Sequence, residues 1–291
     1  MEKTKVPIVT NDINRLFLKN IFHPSDFTEN SEIAFAHALK IALAAKANLN
    51  LFHVHQQRDE EEWTEFPGVR NLLVRWKILP EGSSREEVKK LELGIRKIQS
   101  FKHDPVASIV NYLEKHETDL IVLATHQQKG IDRWLHQAVA EPVARGAGQM
   151  TLFIPQGKKE FVSLKDGEMS LQRILIPVDQ QPSPQAAIDA ASGLVHLFNG
   201  HGTELTIVHA GSHNTLASYH YSKGHDWKWE TLVSTGSVVE QILKIAEDRS
   251  PDLIVMATQG HHGFLDALRG STTERVLREA PCPVLAVLAG K

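Results

Sequence analysis

Asp252-Leu253-Ile254-Val255-Met256-Ala257-Thr258-Gln259-Gly260-His261-His262-Gly263, followed after six intervening residues by Gly270-Ser271, is the stretch that decides the fold. An apolar strand runs into a glycine loop, and Gly-Ser then opens a helix. Parallel α/β sheets build anion sites in this way, beyond the carboxyl ends of their strands. Gly260 and Gly263 lack a Cβ and let backbone approach a phosphate. The helix behind Gly270 and Ser271 offers free N–H groups and a favourable dipole, and Ser271 adds a hydroxyl. Each part has a plainer reading. Ser271-Thr272-Thr273-Glu274 is also a capping box, and a lone Gly-x-x-Gly is usually a turn. The combination of strand, glycines, spacing and helix start favours the phosphate.

Working outward, the same strand occurs twice. Asp119-Leu120-Ile121-Val122-Leu123-Ala124-Thr125 precedes Asp252–Thr258 by 133 residues. Ile21-Phe22-His23-Pro24-Ser25-Asp26 pairs with Ile174-Leu175-Ile176-Pro177-Val178-Asp179 at an offset of 153, and Leu51-Phe52-His53-Val54 with Ile207-Val208-His209-Ala210 at 156. An internal repeat outranks any local signal. The offset shrinks by 23 residues before the Asp-Leu-Ile-Val strand, so repeat 2 lacks about one helix and its connections there. Residues 156–171 carry no clear period and read as a linker between domains at 1–155 and 172–291.

Within each repeat, short apolar runs alternate with segments of helical period, which implies parallel sheets with helices on both faces. The first helix of repeat 1 starts near Asn30-Ser31 and places Ile33, Ala34, His37, Ala38, Ile41 and Ala42 on one side. Its counterpart starts at Ser183-Pro184. Later helices open at Asp104-Pro105 and at Ser237, where Glu240 completes a capping box. Ser83–Leu93 is expected to be helical, and Glu61–Leu79 a loop with a short strand or helix. Thr151–Ile154 and Val284–Val287 are the final strands.

Composition bounds the function. With 42% hydrophobic and 23% charged residues and a net charge of −3, the 291-residue chain has the balance of a globular protein and no basic excess for nucleic acid. One cysteine, Cys282, excludes an internal disulfide and fits a reducing compartment. No leader-like segment and no apolar run of roughly 18 residues occurs, so a cytoplasmic protein without membrane contact is expected.

These motifs together resemble the universal stress protein family, across both repeats. The Ile-Pro-Val-Asp strand end, the strand ending Val208-His209, the Asp-Leu-Ile-Val strand and Pro281-Cys282-Pro283-Val284 all match. The family's nucleotide loop, Gly-x2-Gly-x9-Gly-Ser/Thr, reads here as Ala257, Gly260 and Gly270-Ser271. The resemblance implies an α/β fold of two tandem open parallel five-stranded sheets, strand order 3-2-1-4-5, joined as a pseudo-dimer through the fifth strands. It implies ATP or AMP held by repeat 2 at Pro177, Val178, Asp179, Val208, Met256, Ala257, Gly260, His261, Gly263, Gly270, Ser271 and Thr272. Asp179 is expected to accept from the base or ribose, as a buried carboxylate needs a donor. Many relatives carry Arg or Lys where this chain has His261, which leaves the strength and pH dependence of phosphate contact open. In repeat 1 the loop is broken, because Gln127 replaces a glycine and Gln137-Ala138 replace Gly-Ser. Asp26 survives, so an adenosine pocket without a phosphate cradle stays open there.

Three functions compete: a nucleotide-binding regulator of the stress-response type, a slow ATPase or phosphotransferase, and a partner-binding scaffold. Enzyme motifs are missing, with no Gly-x4-Gly-Lys-Ser/Thr loop and no Gly-x-Ser-x-Gly elbow. The first reading is preferred, with an unidentified protein partner, and a homodimer of tandems is left open. Among 16 histidines, His23, His53, His55 and His126 fall near strand ends of repeat 1 and are zinc candidates. Histidines at those places serving structure alone is the stronger reading.

Overall fold

The computed structural model describes residues 8–10, 16–54, 68–101, 104–125, 149–222, 224, 226–258 and 272–289. In chain order its strands are β1 (Ile8–Thr10), β2 (Asn20–Pro24), β3 (Asn48–Val54), β4 (Gly94–Ser100), β5 (Leu120–Thr125), β6 (Met150–Pro155), β7 (Arg173–Pro177), β8 (Glu204–Ala210), β9 (His220–Ser222), β10 (Lys228–Ser234), β11 (Leu253–Thr258) and β12 (Val284–Leu288). The described helices are α1 (Glu29–Ala45), α2 (Val69–Arg75), α3 (Arg85–Lys89), α4 (Pro105–Leu113), α5 (Gln185–Leu197), α6 (Val238–Arg249) and α7 (Thr272–Glu279).

Two compact units result. The N-terminal unit holds residues 17–156 and 160–170, and the C-terminal unit holds 1–16, 157–159 and 171–291. Strand order is β4-β3-β2-β5-β6 in the first and β10-β8-β7-β11-β12 in the second, with parallel neighbours. Both therefore run 3-2-1-4-5 and reverse direction between their first and fourth strands. The third strands, β4 and β10, went unlocated in the sequence. They lie at one edge of each unit's sheet and are only partly buried, so they lack the continuous apolar run that marks the central strands. Their offset of 134 places the shortening of repeat 2 between the second and third strands. In repeat 1 that connection contains α2 and α3. Among the described residues of repeat 2 it contains a 3-10 turn, His213–Thr215, and β9. β9 pairs in parallel with β1, so the N-terminal strand belongs to the C-terminal unit.

Helix starts follow the expected residues with local differences. Thr28 caps α1 by accepting from Ser31 N, and Asp104 Oδ1 accepts from Ala107 N ahead of α4. Pro184 is already helical at the start of α5, its carbonyl accepting from Ile188 N. Ser237 precedes α6 without a side-chain cap hydrogen bond, so the expected box with Glu240 does not form.

α1 is buried on more than its expected face, since Phe35, Ala36 and Leu39 are as enclosed as Ala34 and Ala38. A helix apolar all round must be covered on both sides. Part of the cover is the segment read as a linker. Phe161 and Val162 are buried, and Val162 bridges to Met169 in antiparallel fashion. Trp76 Nε1 donates to Leu164 O, and Gly167 (φ +70) sits where a Cβ would lie 2.5 Å from the Trp76 ring. His37 locks this cover. Its Nδ1–H donates to Ile33 O at 2.8 Å, and Nε2 accepts from Phe161 N at 3.3 Å and Val162 N at 3.2 Å. That pattern requires a neutral imidazole, and burial pushes its pKa down to about 4. Burial likewise lowers His23, on β2, to about 4, against a hydrogen bond from its Nδ1 to Val122 O.

Two carboxylates pin the first strands. Asp119 Oδ2 accepts from Lys19 N and Asn20 N at 2.7 and 2.8 Å. Asp252 Oδ2 accepts from Gln172 N and Arg173 N at 2.8 and 2.7 Å, and its Oδ1 meets Lys159 Nζ at 2.6 Å.

Two outcomes are expected. Between pH 6.5 and pH 4 the unfolded chain binds protons at positions 23 and 37 that the folded chain excludes. Stability therefore falls as pH drops through that window and levels off below it, by about 3 kcal/mol per histidine. Urea unfolding at pH 7.5 and pH 4.5 measures this, and His37→Phe removes its share of the difference. Asp252→Ala, which strands two backbone N–H groups and the Lys159 ammonium, lowers stability at pH 7 by about 3 kcal/mol in the same assay.

Candidate functional site

The site forms where β7 and β11 part. Their ladder holds only two residue pairs, Leu253↔Ile174 and Ile254↔Leu175, at the amino ends. Beyond it β7 follows β8 and β11 follows β12, and a crevice opens at the carboxyl ends. A cavity of about 390 Å³ lies there. This volume is within the range of about 300–1,000 Å³ usual for small-molecule sites. Pro177, Val178 and Asp179 supply one wall, Met256, Ala257 and Thr258 another, and Val208 and Ala210 a third. Val238 and Ile242 of α6 and Thr272 and Thr273 of α7 enclose it, with Gln181, Pro182 and Pro184 from the turn before α5.

Seven of the expected residues thus line one cavity: Pro177, Val178, Asp179, Val208, Met256, Ala257 and Thr272. Gly260, His261, Gly263, Gly270 and Ser271 lie outside the described residues. Sequence reasoning missed Val238 and Ile242, whose i, i+4 spacing reads equally as core, and the Gln181–Pro184 turn, which carries no anion or base signature. Asp179 differs from expectation in being exposed. Its Oδ1 accepts from Gln180 N at 2.7 Å, and no described protein group meets its other oxygen. It is the only charged group among the described lining residues. The described lining mixes apolar side chains from the strand ends and α6 with Asp179, Gln181 and the hydroxyls of Thr258, Thr272 and Thr273. It suits a flat, weakly polar ring better than an anion, and an anion needs the loop after Thr258 or the first turn of α7.

A histidine shapes the wall from behind. His209 is buried on β8, and its Nδ1–H donates to Val178 O at 3.1 Å while Nε2 meets Thr215 Oγ1 at 2.9 Å. The ring fixes the carbonyl of a cavity-lining residue. Gly211 makes room for it, because a Cβ there would lie 2.5 Å from His209 Nε2 and 2.7 Å from Thr215 Oγ1.

Repeat 1 has the same frame with different filling. His53 Nδ1–H donates to Ser25 O at 2.7 Å, the counterpart of His209 on Val178. Pro24 pairs with Phe52 in the register in which Pro177 pairs with Val208. Where Val208 lines the cavity, Phe52 is buried against Phe22 and Tyr112, with ring centroids 5.6 and 5.3 Å apart. Asp26 Oδ1 accepts from Thr28 N and Thr28 Oγ1, shaping the turn before α1.

The zinc candidates are not gathered among the described residues. His23 and His53 each commit Nδ1 to a carbonyl, and Phe27 stacks on His53 at 3.9 Å. His55 and His126 lie outside the described residues. No group of three or more His, Cys, Asp or Glu there is placed to hold a metal ion, and no described helix is long and apolar enough to cross a membrane.

A model of the universal stress protein family matches residues 18–155 and 220–287. The chain belongs to the universal stress protein family. Over 143 residues it is 32% identical to Universal stress protein A homolog 1 of Coxiella burnetii (strain RSA 493 / Nine Mile phase I), covering 41% of this chain and 97% of that one. Over 149 residues it is 26% identical to Universal stress protein MJ0531 of Methanocaldococcus jannaschii, covering 43% of this chain and 86% of that one. The crystal structure of a universal stress protein from Archaeoglobus fulgidus DSM 4304 is alike in fold, with a TM-score of 0.58 at 17% identity, over 94% of this chain and 97% of that one.

Gly211→Ala is expected to displace His209 and to cost about 1–3 kcal/mol in urea unfolding. The His209 ring resonances in an NMR spectrum should shift with it, while those of His53 stay in place.

Proposed function

We infer that this universal stress protein is a nucleotide-binding regulator of the stress-response type, with ATP or AMP held by the C-terminal repeat. The observation that carries the reading is the cavity at the parting of β7 and β11, lined by the strand ends that motif spacing had selected. Val178, Val208, Ile242 and Met256 offer apolar surface for the base. The Asp179 oxygen without a described partner suits a base N–H or a ribose hydroxyl. Thr272, at the start of α7, stands where helix N–H groups favour phosphate, and Gly260, His261, Gly263, Gly270 and Ser271 complete the cradle in this reading. The protein would then change its partner surface with the nucleotide it holds, and the two repeats would join as a pseudo-dimer through their fifth strands.

For repeat 1 a specific observation favours a scaffold role. Phe52 stands where Val208 faces the cavity, and its ring packs on Phe22 and Tyr112. The reading therefore assigns one nucleotide site per chain.

Titration calorimetry of the intact chain with ATP and with AMP tests this. One site per chain is expected, and Gly260→Val should abolish the heat of binding while leaving the urea midpoint unchanged. A stoichiometry of two overturns the assignment to repeat 2. No binding by the wild type leaves a scaffold, and steady phosphate release that Gly260→Val removes marks an enzyme.

A further inference from the structure

The C-terminal unit contains a device with no counterpart among the described residues of repeat 1. β1, from the beginning of the chain, pairs in parallel with β9, with Ile8↔His220, Val9↔Tyr221 and Thr10↔Ser222 in register. β9 lies in the shortened connection between β8 and β10, just beyond the cavity residues Val208 and Ala210. Its backbone is also held by one side chain. Gln185 Oε1 accepts from His220 N at 2.9 Å, and Gln185 Nε2 donates to His220 O at 3.0 Å. A primary amide that donates to and accepts from one residue's backbone imitates a rung of a β-ladder. Gln185 Nε2 also donates to Asp189 Oδ1 at 2.8 Å, one turn along α5, which fixes the amide plane.

Gln185 is the first residue of α5, and the turn before it supplies Gln181, Pro182 and Pro184 to the cavity. The path is therefore continuous: β1 pairs with β9, β9 is clamped by Gln185, and Gln185 directly follows the cavity lip. The cavity wall formed by β8 enters the same connection from its other end. Neighbouring residues of a strand turn their backbone groups to opposite edges. The two contacts consequently use opposite edges of β9, with Gln185 at His220 and β1 at Tyr221.

We propose that β1 is a strap whose docking on β9 is coupled, through Gln185, to occupancy of the C-terminal cavity. A docked strap holds the Gln181–Pro184 lip in its binding shape, which lowers the ordering cost that a ligand meets. The coupling is reciprocal, so a ligand in the cavity tightens the strap by the same factor. The proposal rests on the nucleotide reading for the identity of the ligand.

ATP is the probe. Gln185→Ala and Thr10→Pro cut the path at two separate places, and proline removes a strand N–H donor. Each variant should weaken ATP binding at least about fivefold, the lower end of usual coupling between sites. Amide exchange of β11, compared without ligand, checks that the core of each variant is intact. In the wild type, ATP should slow amide exchange of residues 8–10 by a matching factor. Wild-type binding that neither variant changes, or exchange at 8–10 that ATP leaves unaltered, overturns the strap while sparing the nucleotide reading. A wild type that binds no ATP overturns that reading and the strap with it.

Discussion

The carboxylates of Asp119 and Asp252 hold the structure's most consequential contact. Each takes two backbone N–H groups at the entrance of its unit's first strand from the start of the fourth. These strands flank the reversal of strand order and share only two residue pairs in each unit. With so short a ladder, something must hold their amino ends together while their carboxyl ends separate. A carboxylate accepting two N–H bonds does this and satisfies donors that the ladder leaves over. The crevice at the far end follows from the clamp at the near end. The Asp of the Asp-Leu-Ile-Val motif is thus a structural residue that makes the site without touching it.

The other end of the first strand is held from the second. His53 on Ser25 and His209 on Val178 are the same contact made twice, a ring N–H on the carbonyl where the strand ends. With both ends held, the first strand presents Pro177, Val178 and Asp179 at a defined place, and binding there need not order the backbone. His53, one of the four zinc candidates in the sequence, serves this purpose. Imidazole suits it because it spans from one strand to the carbonyl of the next and donates a ring N–H there.

The fold was legible in the sequence wherever a strand is buried on both faces. Ile174–Pro177, Leu253–Thr258 and their counterparts are apolar runs that no other element explains, and the repeat tied them into one architecture. β4 and β10 escaped because edge strands mix Arg96, Lys97 and Gln99, or Lys228 and Glu230, with apolar residues. Residues 156–171 read as a linker because Phe161 and Val162 stand among Lys, Glu, Ser and Gly. Their partner, the outer side of α1, is distant in sequence. The expected box at Ser237 and Glu240 failed for a related reason: the pattern records what side chains can do, and neighbours decide whether they do it. Seven residues of the cavity lining were legible, six because strand ends are and Thr272 because a helix start is. Val238, Ile242 and Pro182 were not, since an apolar residue lining a cavity looks the same in sequence as one filling a core.

That ambiguity gives the comparison of the two repeats its force. Unfilled apolar space lowers stability, by about 24 cal/mol per Å³ of residual cavity in large-to-small core substitutions. A crevice with no ligand to receive is therefore better filled. Where repeat 2 carries the cavity-lining Val208, repeat 1 carries Phe52, whose ring packs on Phe22 and Tyr112. The same repeat has lost the glycines of its loop, replaced by Gln127, Gln137 and Ala138. Two independent parts of the site, the apolar wall and the loop, differ in the same direction. The crevice of repeat 2 is kept open by the same clamp and the same histidine pin that repeat 1 retains. At the strand end beside the proline the two differ in the size of one side chain, valine at 208 lining the cavity against phenylalanine at 52 packed on Phe22 and Tyr112.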